Sequence, residues 1–202
     1  WTRVGIDMGS ATTVAVVCRN DGFWQPVLFD GQPWLHSGVY RSGIGPVLTG
    51  GQALAAAMAD PAGYLPDPGG RISADAVPLG DGTKPGVDLV GAVLRRVLHE
   101  TERVCGGAVA EVVVVVPPGW GPPRRALLRQ AAQDAGVRAP VLVPAAVAVA
   151  SRADGLDVPV GRWVVVCDLG ARAAASVVRR TVTGYEILAE LDGDAGGDRI
   201  DD

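Results

Sequence analysis

The first 40 residues alternate between short apolar runs and turn residues, which predicts a β-meander. Residues 4–7 are apolar and extended, and residues 8–11 supply a turn. Residues 12–18 form a β-branched run that predicts the returning strand. Residues 25–29 predict a third strand, and residues 35–40 a short fourth one.

The middle of the chain predicts two helices around a loop. Residues 52–60 are rich in alanine and predict a helix that ends before Pro61. Residues 61–85 contain many glycines and prolines and predict a loop with a short hairpin. The clearest helix begins with Asp88 as its N-cap and ends at Gly106. Its apolar stripe consists of Leu89, Val90, Val93, Leu94, Val97 and Leu98.

The following segments alternate strand and helix. Residues 111–116 are a run of valines, typical of a strand buried on both faces. A second amphipathic helix is predicted from Pro123 to residue 135, with Gly136 as its C-cap. A buried strand at 141–143 and a short helix at 145–152 follow. This alternation predicts an α/β fold in which residues 4–7, 14–18, 111–116 and 141–143 share one mixed sheet, covered by the helices from Asp88 and Pro123.

The last part of the chain repeats the opening pattern. Residues 163–168 form an apolar strand that ends in Asp168, and strands are predicted again at 174–180 and 185–191. Three strands alone make a marginal sheet. We therefore expect them to pack on the rest of the chain or on another copy of it.

Composition and charge exclude some partners. The net charge of −4 and the isoelectric point near 5.2 disfavour nucleic acid, which needs a concentrated positive field. The three cysteines lack metal-type spacing. Because Cys18 and Cys167 lie in valine-rich runs, they are predicted to be reduced core residues of a cytoplasmic protein.

No segment predicts a membrane span. The longest apolar stretch, residues 139–150, is too short and is interrupted by Pro140 and Pro144. The chain starts at Trp1 without a charged and then apolar leader. We expect a cytoplasmic chain that lacks a signal peptide and is cut from a longer protein.

Two short motifs echo each other along the chain. Residues 5–9 read GIDMG and residues 166–170 read VCDLG, so an apolar strand delivers an aspartate to a glycine turn twice. Backbone N–H groups in such turns can bind phosphate oxygens, and Asp7 and Asp168 can hold a hydrated magnesium ion. Aspartate before a glycine turn is common at strand ends, so either motif alone is weak. Together they predict a cleft for a nucleoside triphosphate.

These motifs resemble those of DnaK-type heat-shock chaperones (the heat shock protein 70 family). GIDMGSATT at 5–13 resembles the first phosphate loop of that family, and DLG at 168–170 falls where the second should lie. VVVPP at 114–118, with the helix that follows it, looks like the family's connecting strand and helix. DAGGDRID at 194–201 resembles its acidic double-glycine turn. The resemblance covers essentially the whole chain.

The resemblance implies the actin-like ATPase (ribonuclease H-like) fold. It assigns residues 1–160 to lobe I, with an outer subdomain at about 33–84, and residues 161–202 to the truncated start of lobe II. The implied cofactor is ATP or ADP with Mg²⁺, and Asp7 and Asp168 would hold the metal through water. The cofactor-binding residues it implies are Asp7, Gly9, Ser10, Ala11, Thr12, Asp168, Gly170, Arg172, Gly196 and Gly197.

The second phosphate loop departs from the family pattern of three glycines and a threonine. The chain has Gly170, Ala171, Arg172 and Ala173 instead. The added Cβ atoms disfavour positive φ and crowd the approach to phosphate. Arg172 is the one cation in this loop that could compensate.

Three further groups expected from the family are missing. The catalytic-site glutamate falls at Ala145, and the aspartate after the second loop falls at Ala175. The lysine that reaches the γ-phosphate is expected near Gly69, where none stands. No catalytic residue is therefore assigned.

The losses favour a DnaK-like module that does not hydrolyse ATP and acts as a scaffold or regulatory chaperone-like protein, with or without bound nucleotide. One alternative is an authentic ATP-binding chaperone ATPase in which Arg172 and Ser10 replace the missing groups. A second is a sugar or acetate kinase of the same superfold. The expected partner is a protein or client whose identity the sequence does not give.

Overall fold

The computed structural model describes residues 2–152 and 157–193. These residues form four helices and fourteen strands. The helices are α1 (Gly50–Ala59), α2 (Gly86–Cys105), α3 (Pro122–Asp134) and α4 (Ala145–Ser151). The strands are β1 (Arg3–Met8), β2 (Thr12–Cys18), β3 (Trp24–Pro26), β4 (Leu35–His36), β5 (Val39–Tyr40), β6 (Leu48–Thr49), β7 (Tyr64–Leu65), β8 (Ala76–Leu79), β9 (Gly82–Pro85), β10 (Glu111–Val116), β11 (Val141–Pro144), β12 (Trp163–Leu169), β13 (Ala173–Thr181) and β14 (Gly184–Gly193). The predicted α/β class is confirmed.

The chain divides into two compact units. The first comprises residues 1–114 and 122–142, and the second comprises 115–121 and 143–202. The division falls inside β10 and β11. The assignment of residues 1–160 and 161–202 to two actin-like lobes stays a prediction.

A mixed sheet forms the centre of the first unit. Its strand order is β11-β10-β1-β2-β3, and β4 also pairs with β2. β1 is parallel to β10 and antiparallel to β2. The four segments predicted to share one sheet are β1, β2, β10 and β11, so that prediction is confirmed.

The strict alternation of β1 separates the two faces of this sheet. Val4, Ile6 and Met8 are buried, whereas Gly5 and Asp7 are exposed. The predicted apolar stripe of α2 is buried throughout, as are the inner side chains of β10 and α3. Strand periodicity therefore places Asp7 at the end of β1 on the exposed face.

Helix α2 starts earlier than predicted. The expectation that Asp88 is its N-cap is wrong, because the β8–β9 hairpin leads directly into the helix at Pro85 and Asp88 lies in the first turn. A carboxylate there still stabilises the positive end of the helix dipole. The predicted end is confirmed: Gly106 is left-handed with φ +70° and donates its N–H to the carbonyl of Glu102.

The predicted third and fourth strands are shorter in the structure. The third ends at Pro26 as β3. The segment 35–40 is two strands in different sheets, since β4 pairs with β2 and β5 pairs with β6 and β7. The chain changes sheets at Gly38, which lies against the Tyr64 ring with no room for a side chain.

The rest of the first unit consists of small sheets and α1. β6, β5 and β7 form a three-stranded sheet on which α1 packs, and β8 and β9 form a hairpin. The hairpin predicted within residues 61–85 is therefore confirmed. These elements fall largely in the region that the resemblance assigns to an outer subdomain.

The second unit is built on an antiparallel meander. Its strand order is β12-β13-β14, as the three predicted strands require. Helix α4 covers one face, where Ala146, Ala150 and Val178 are buried. Around them pack Val164, Val166, Tyr185 and Ile187.

The opposite face of this meander is open. Val165 is 52 % exposed, Leu169 82 % and Leu191 72 %. Cys167 is also exposed, so the prediction that it is a core residue is wrong; it alternates with the side chains that face α4. Cys18 is half-buried, and all three cysteines are free thiols.

Within residues 2–152 and 157–193, none of the helices is both long enough and apolar enough to cross a membrane.

Candidate functional site: two aspartate–glycine hairpins

The first hairpin joins β1 to β2 through residues 9–12, here called the first loop. The last paired residues are Met8 and Thr13, and the Gly9 N–H donates to the carbonyl of Thr12 at 3.0 Å. A Cβ built on Gly9 would lie 2.9 Å from that carbonyl oxygen. The tight closure of the loop therefore requires glycine at this position.

Two buried hydroxyl groups support the first loop from the protein interior. Ser37 and Thr13 are both fully buried, and their hydroxyl oxygens lie 2.8 Å apart. The Ser37 hydroxyl donates to the carbonyl of Gly9 at 2.7 Å, and the Ser37 N–H donates to the carbonyl of Ala11 at 3.0 Å. Two loop carbonyls are thus turned towards the protein interior.

The first loop contains backbone N–H donors that are not used within the loop. Within the described part of the chain, the N–H groups of Ser10 and Ala11 make no hydrogen bond. Asp7 precedes the loop on the exposed face of the sheet, paired across the strands with Val14. This arrangement suits a phosphate oxygen at the loop and a hydrated cation near the carboxylate.

The position expected to carry a lysine lies next to this hairpin. Gly69 is buried, and a Cβ built on it would lie 3.2 Å from the Met8 methyl group. The Gly70 N–H donates to the Asp67 carboxylate at 2.8 Å and closes a turn there. The segment is therefore near the end of β1 but offers a glycine instead of an ammonium group.

The second hairpin joins β12 to β13 through residues 170–172, here called the second loop. Leu169 pairs with Ala173, so this loop is one residue shorter than the first. The Gly170 N–H donates to the carbonyl of Arg172 at 3.0 Å. A Cβ on Gly170 would lie 3.8 Å from that oxygen, an ordinary contact, so closure does not depend on glycine.

Arg172 is held by an acidic strand end. Its guanidinium group lies 3.1 Å from the Asp192 carboxylate, and both side chains are partly exposed. Nearby, the Gly119 N–H donates to Glu190 at 3.3 Å. The Asp192 carboxylate competes with any phosphate for Arg172, the cation that was predicted to compensate for the lost glycines.

Asp168 stands on the α4 side of its sheet, opposite Ala174. Ala175, where an aspartate was expected, pairs with Cys167 and so points to the other face. Ala145 is the first residue of α4 and is half-buried. A carboxylate is therefore missing at 145, and one at 175 would lie on the face opposite Asp168.

Two of the predicted cofactor-binding residues, Gly196 and Gly197, lie outside the described residues. In the described ranges, no group of three or more His, Cys, Asp or Glu side chains is arranged to hold a metal ion. The predicted metal residues Asp7 and Asp168 stay a prediction.

Sequence reasoning missed Ser37, Thr13 and Asp192. Ser37 comes 28 residues after Gly9, and only the β2–β4 pairing brings them together. Thr13 stands in the quoted motif, but its β-branched character predicts only a strand. Asp192 begins the acidic stretch that the sequence does show, and this charge was the available signal.

No protein-family model matches the chain, and no curated protein matches it either.

Proposed function

We propose that the chain is a DnaK-like nucleotide-binding-domain module that no longer hydrolyses ATP and works as a scaffold or regulatory chaperone-like protein. The observation that carries the proposal is the contrast between the two hairpins. The first loop keeps its glycine closure and has Ser10 and Ala11 amides without a hydrogen bond, whereas the second carries Ala171, Arg172 and Ala173 in place of the family's two glycines and threonine.

The missing groups should greatly reduce both the rate of ATP hydrolysis and the affinity for phosphate. A missing positioned carboxylate costs about 10²–10⁴-fold in rate. Each missing charge-assisted hydrogen bond weakens phosphate binding by about 1.5–3 kcal/mol. Ala145, Gly69 and the second loop each remove one such group, so weak or absent nucleotide binding and no turnover are expected together.

An authentic ATP-binding chaperone is the second candidate. The intact first loop favours it, because a phosphate could bind there with Asp7 close by. Arg172 would then have to leave Asp192 for the nucleotide. Exposed ion pairs contribute only about 0–1 kcal/mol, so this exchange is energetically accessible.

Phosphate release from Mg-ATP tests the proposal. We expect the wild-type chain to release phosphate no faster than buffer. A variant with Ala145→Glu, Gly69→Lys, Ala171→Gly, Arg172→Gly and Ala173→Thr should regain part of the activity, whereas Ala145→Glu alone should regain little, since groups of one site act together.

Turnover by the wild type that Asp7→Asn abolishes would support the second candidate instead. Asp21→Asn is the matched control, because Asp21 is an exposed aspartate in the turn after β2.

A further inference from the structure

We infer that Ser37 is the positioning residue of the first loop, where its buried hydroxyl aims the Ser10 amide outward at an anion of the phosphate class. The inference rests on the proposed function in that it takes the first loop as an anion-binding element. It adds a residue outside the resembling motif and a reason why this loop keeps its shape.

The direction of the hydrogen bonds follows from proton counting. A serine hydroxyl has one proton, and that of Ser37 is given to the carbonyl of Gly9 at 2.7 Å. The Thr13 hydroxyl, 2.8 Å away, must therefore donate to Ser37. Both side chains are fully buried, so each hydroxyl needs its partner.

Peptide geometry links the Ser37–Gly9 hydrogen bond to the direction of the Ser10 N–H group. In a trans peptide the C=O of one residue and the N–H of the next point in opposite directions. Because Ser37 draws the carbonyl of Gly9 inward, the N–H of Ser10 is directed outward. The bond from the Ser37 N–H to the carbonyl of Ala11 anchors the other side of the loop.

The second loop lacks such a support. Within residues 157–193, its one backbone bond runs from Gly170 to Arg172, and no side-chain hydroxyl bonds to it. The internal repeat of the sequence thus pairs a loop held by a buried hydroxyl with one held by its own turn bond and the Arg172–Asp192 ion pair. This contrast assigns whatever anion affinity the chain retains to the first loop.

Amide spectra recorded during titration with inorganic phosphate test the role of Ser37, with chloride used to hold the ionic strength constant. In the wild type, the Ser10 amide resonance should move with saturation in the millimolar range. Ser37→Ala should weaken this binding about five- to tenfold, the equivalent of one lost hydrogen bond. Thr13→Val should weaken it less, and Thr13→Ser, which keeps the hydroxyl, should behave as wild type.

Two results would overturn the inference: a wild-type Ser10 resonance that ignores phosphate, or a Ser37→Ala chain that unfolds more easily yet binds phosphate as well as wild type. Should Ser37→Ala not fold, the comparison of Thr13→Val with Thr13→Ser decides, with equal affinities overturning the inference. Phosphate release from ATP is a separate readout, so turnover would contradict the proposed function without affecting this test.

Discussion

Glycine occupies the same place in both hairpin motifs, at Gly9 and Gly170, but the two positions are under different constraints. At Gly9 the first loop closes so tightly that any Cβ would press on a backbone carbonyl. At Gly170 there is room for one. The same residue type in the two motifs therefore meets different local packing.

Alanine substitution at both glycines measures this difference. Gly9→Ala should lower the free energy of unfolding by about 1–3 kcal/mol, the usual cost of forcing atoms into a packed place. Gly170→Ala is the matched control and should change it by less than about 0.5 kcal/mol. Chemical denaturation of both variants gives the comparison, and equal effects would contradict the constraint at Gly9.

Glu100 is a buried carboxylate of α2 that contacts Arg96 and Arg103 at 2.7 Å each. The hydrogen bond from Arg103 is the main cause that lowers the pKa of Glu100, with burial opposing it and the positive charge of Arg96 assisting. Because the pKa of the folded state lies below the ordinary glutamate value, the carboxylate stabilises the protein at neutral pH. That contribution is lost as the pH falls through the lowered value.

Replacing Glu100 by Gln should therefore cost about 1–3 kcal/mol of unfolding free energy at pH 7. The difference from wild type should begin to shrink as the pH falls below about 4.3, the ordinary glutamate pKa, and should disappear once the pH is below the lowered pKa of the folded state. Glu102→Gln is the control on the same helix, since Glu102 is exposed. Unfolding curves at several pH values check this, and a deficit that stays constant with pH would exclude the ionic explanation.

At the scale of elements, local pattern was sufficient for the strands and helices that bury one clear face. The stripe of α2 and the alternation of β1 follow from periodicity, and β10 follows from its continuous valine run, although only one face of β10 is fully buried. The errors arose where packing against residues distant in the sequence decides the local structure. Tyr64 leaves Gly38 no room for a side chain where the predicted strand divides in two, and α4 selects which face of β12 is covered, leaving Cys167 outside.

The residues of the candidate site were likewise predictable where local pattern decides and missed where pairing between distant segments decides. Asp7, Gly9 and Asp168 stand at predictable strand ends, so sequence reasoning placed them in hairpins that the structure contains. Ser37 and Asp192 reach their loops through strand pairing, across 28 and 20 residues respectively. The Ser37 contact has no local signal in the sequence, and the charge at Asp192 does not show which loop it reaches.

The open face of the β12–β14 sheet makes a prediction about association. Exposed apolar surface on this scale favours self-association in water. The double variant Val165→Thr and Leu191→Thr keeps residues that suit a strand and should reduce the weight-average mass of the chain at high concentration, as measured by sedimentation equilibrium.

The control for this measurement is Val182→Thr. Val182 is 83 % exposed but lies in the turn between β13 and β14, outside the open face. It should leave association unchanged. A wild-type chain that stays monomeric at all concentrations would contradict the prediction.

At the scale of the whole molecule, each unit carries one of the two repeated hairpins. The resemblance implies that ATP binding draws on both, so a chain with one suitable loop should bind nucleotide weakly. Asp7 and Asp168 alone give little affinity, because a metal ion without phosphate donors holds a nucleotide poorly. We therefore expect the degenerate site to show in weak nucleotide binding as well as in absent turnover.

Calorimetric titration of the wild-type chain and of Asp7→Ala with Mg-ATP tests this claim most directly. We predict that both titrations give only heats of dilution, or a dissociation constant no tighter than about 1 mM, close to −4 kcal/mol. Micromolar affinity in the wild type that Asp7→Ala weakens would contradict the claim of a degenerate site, and the chain would then be an ATP-binding chaperone module.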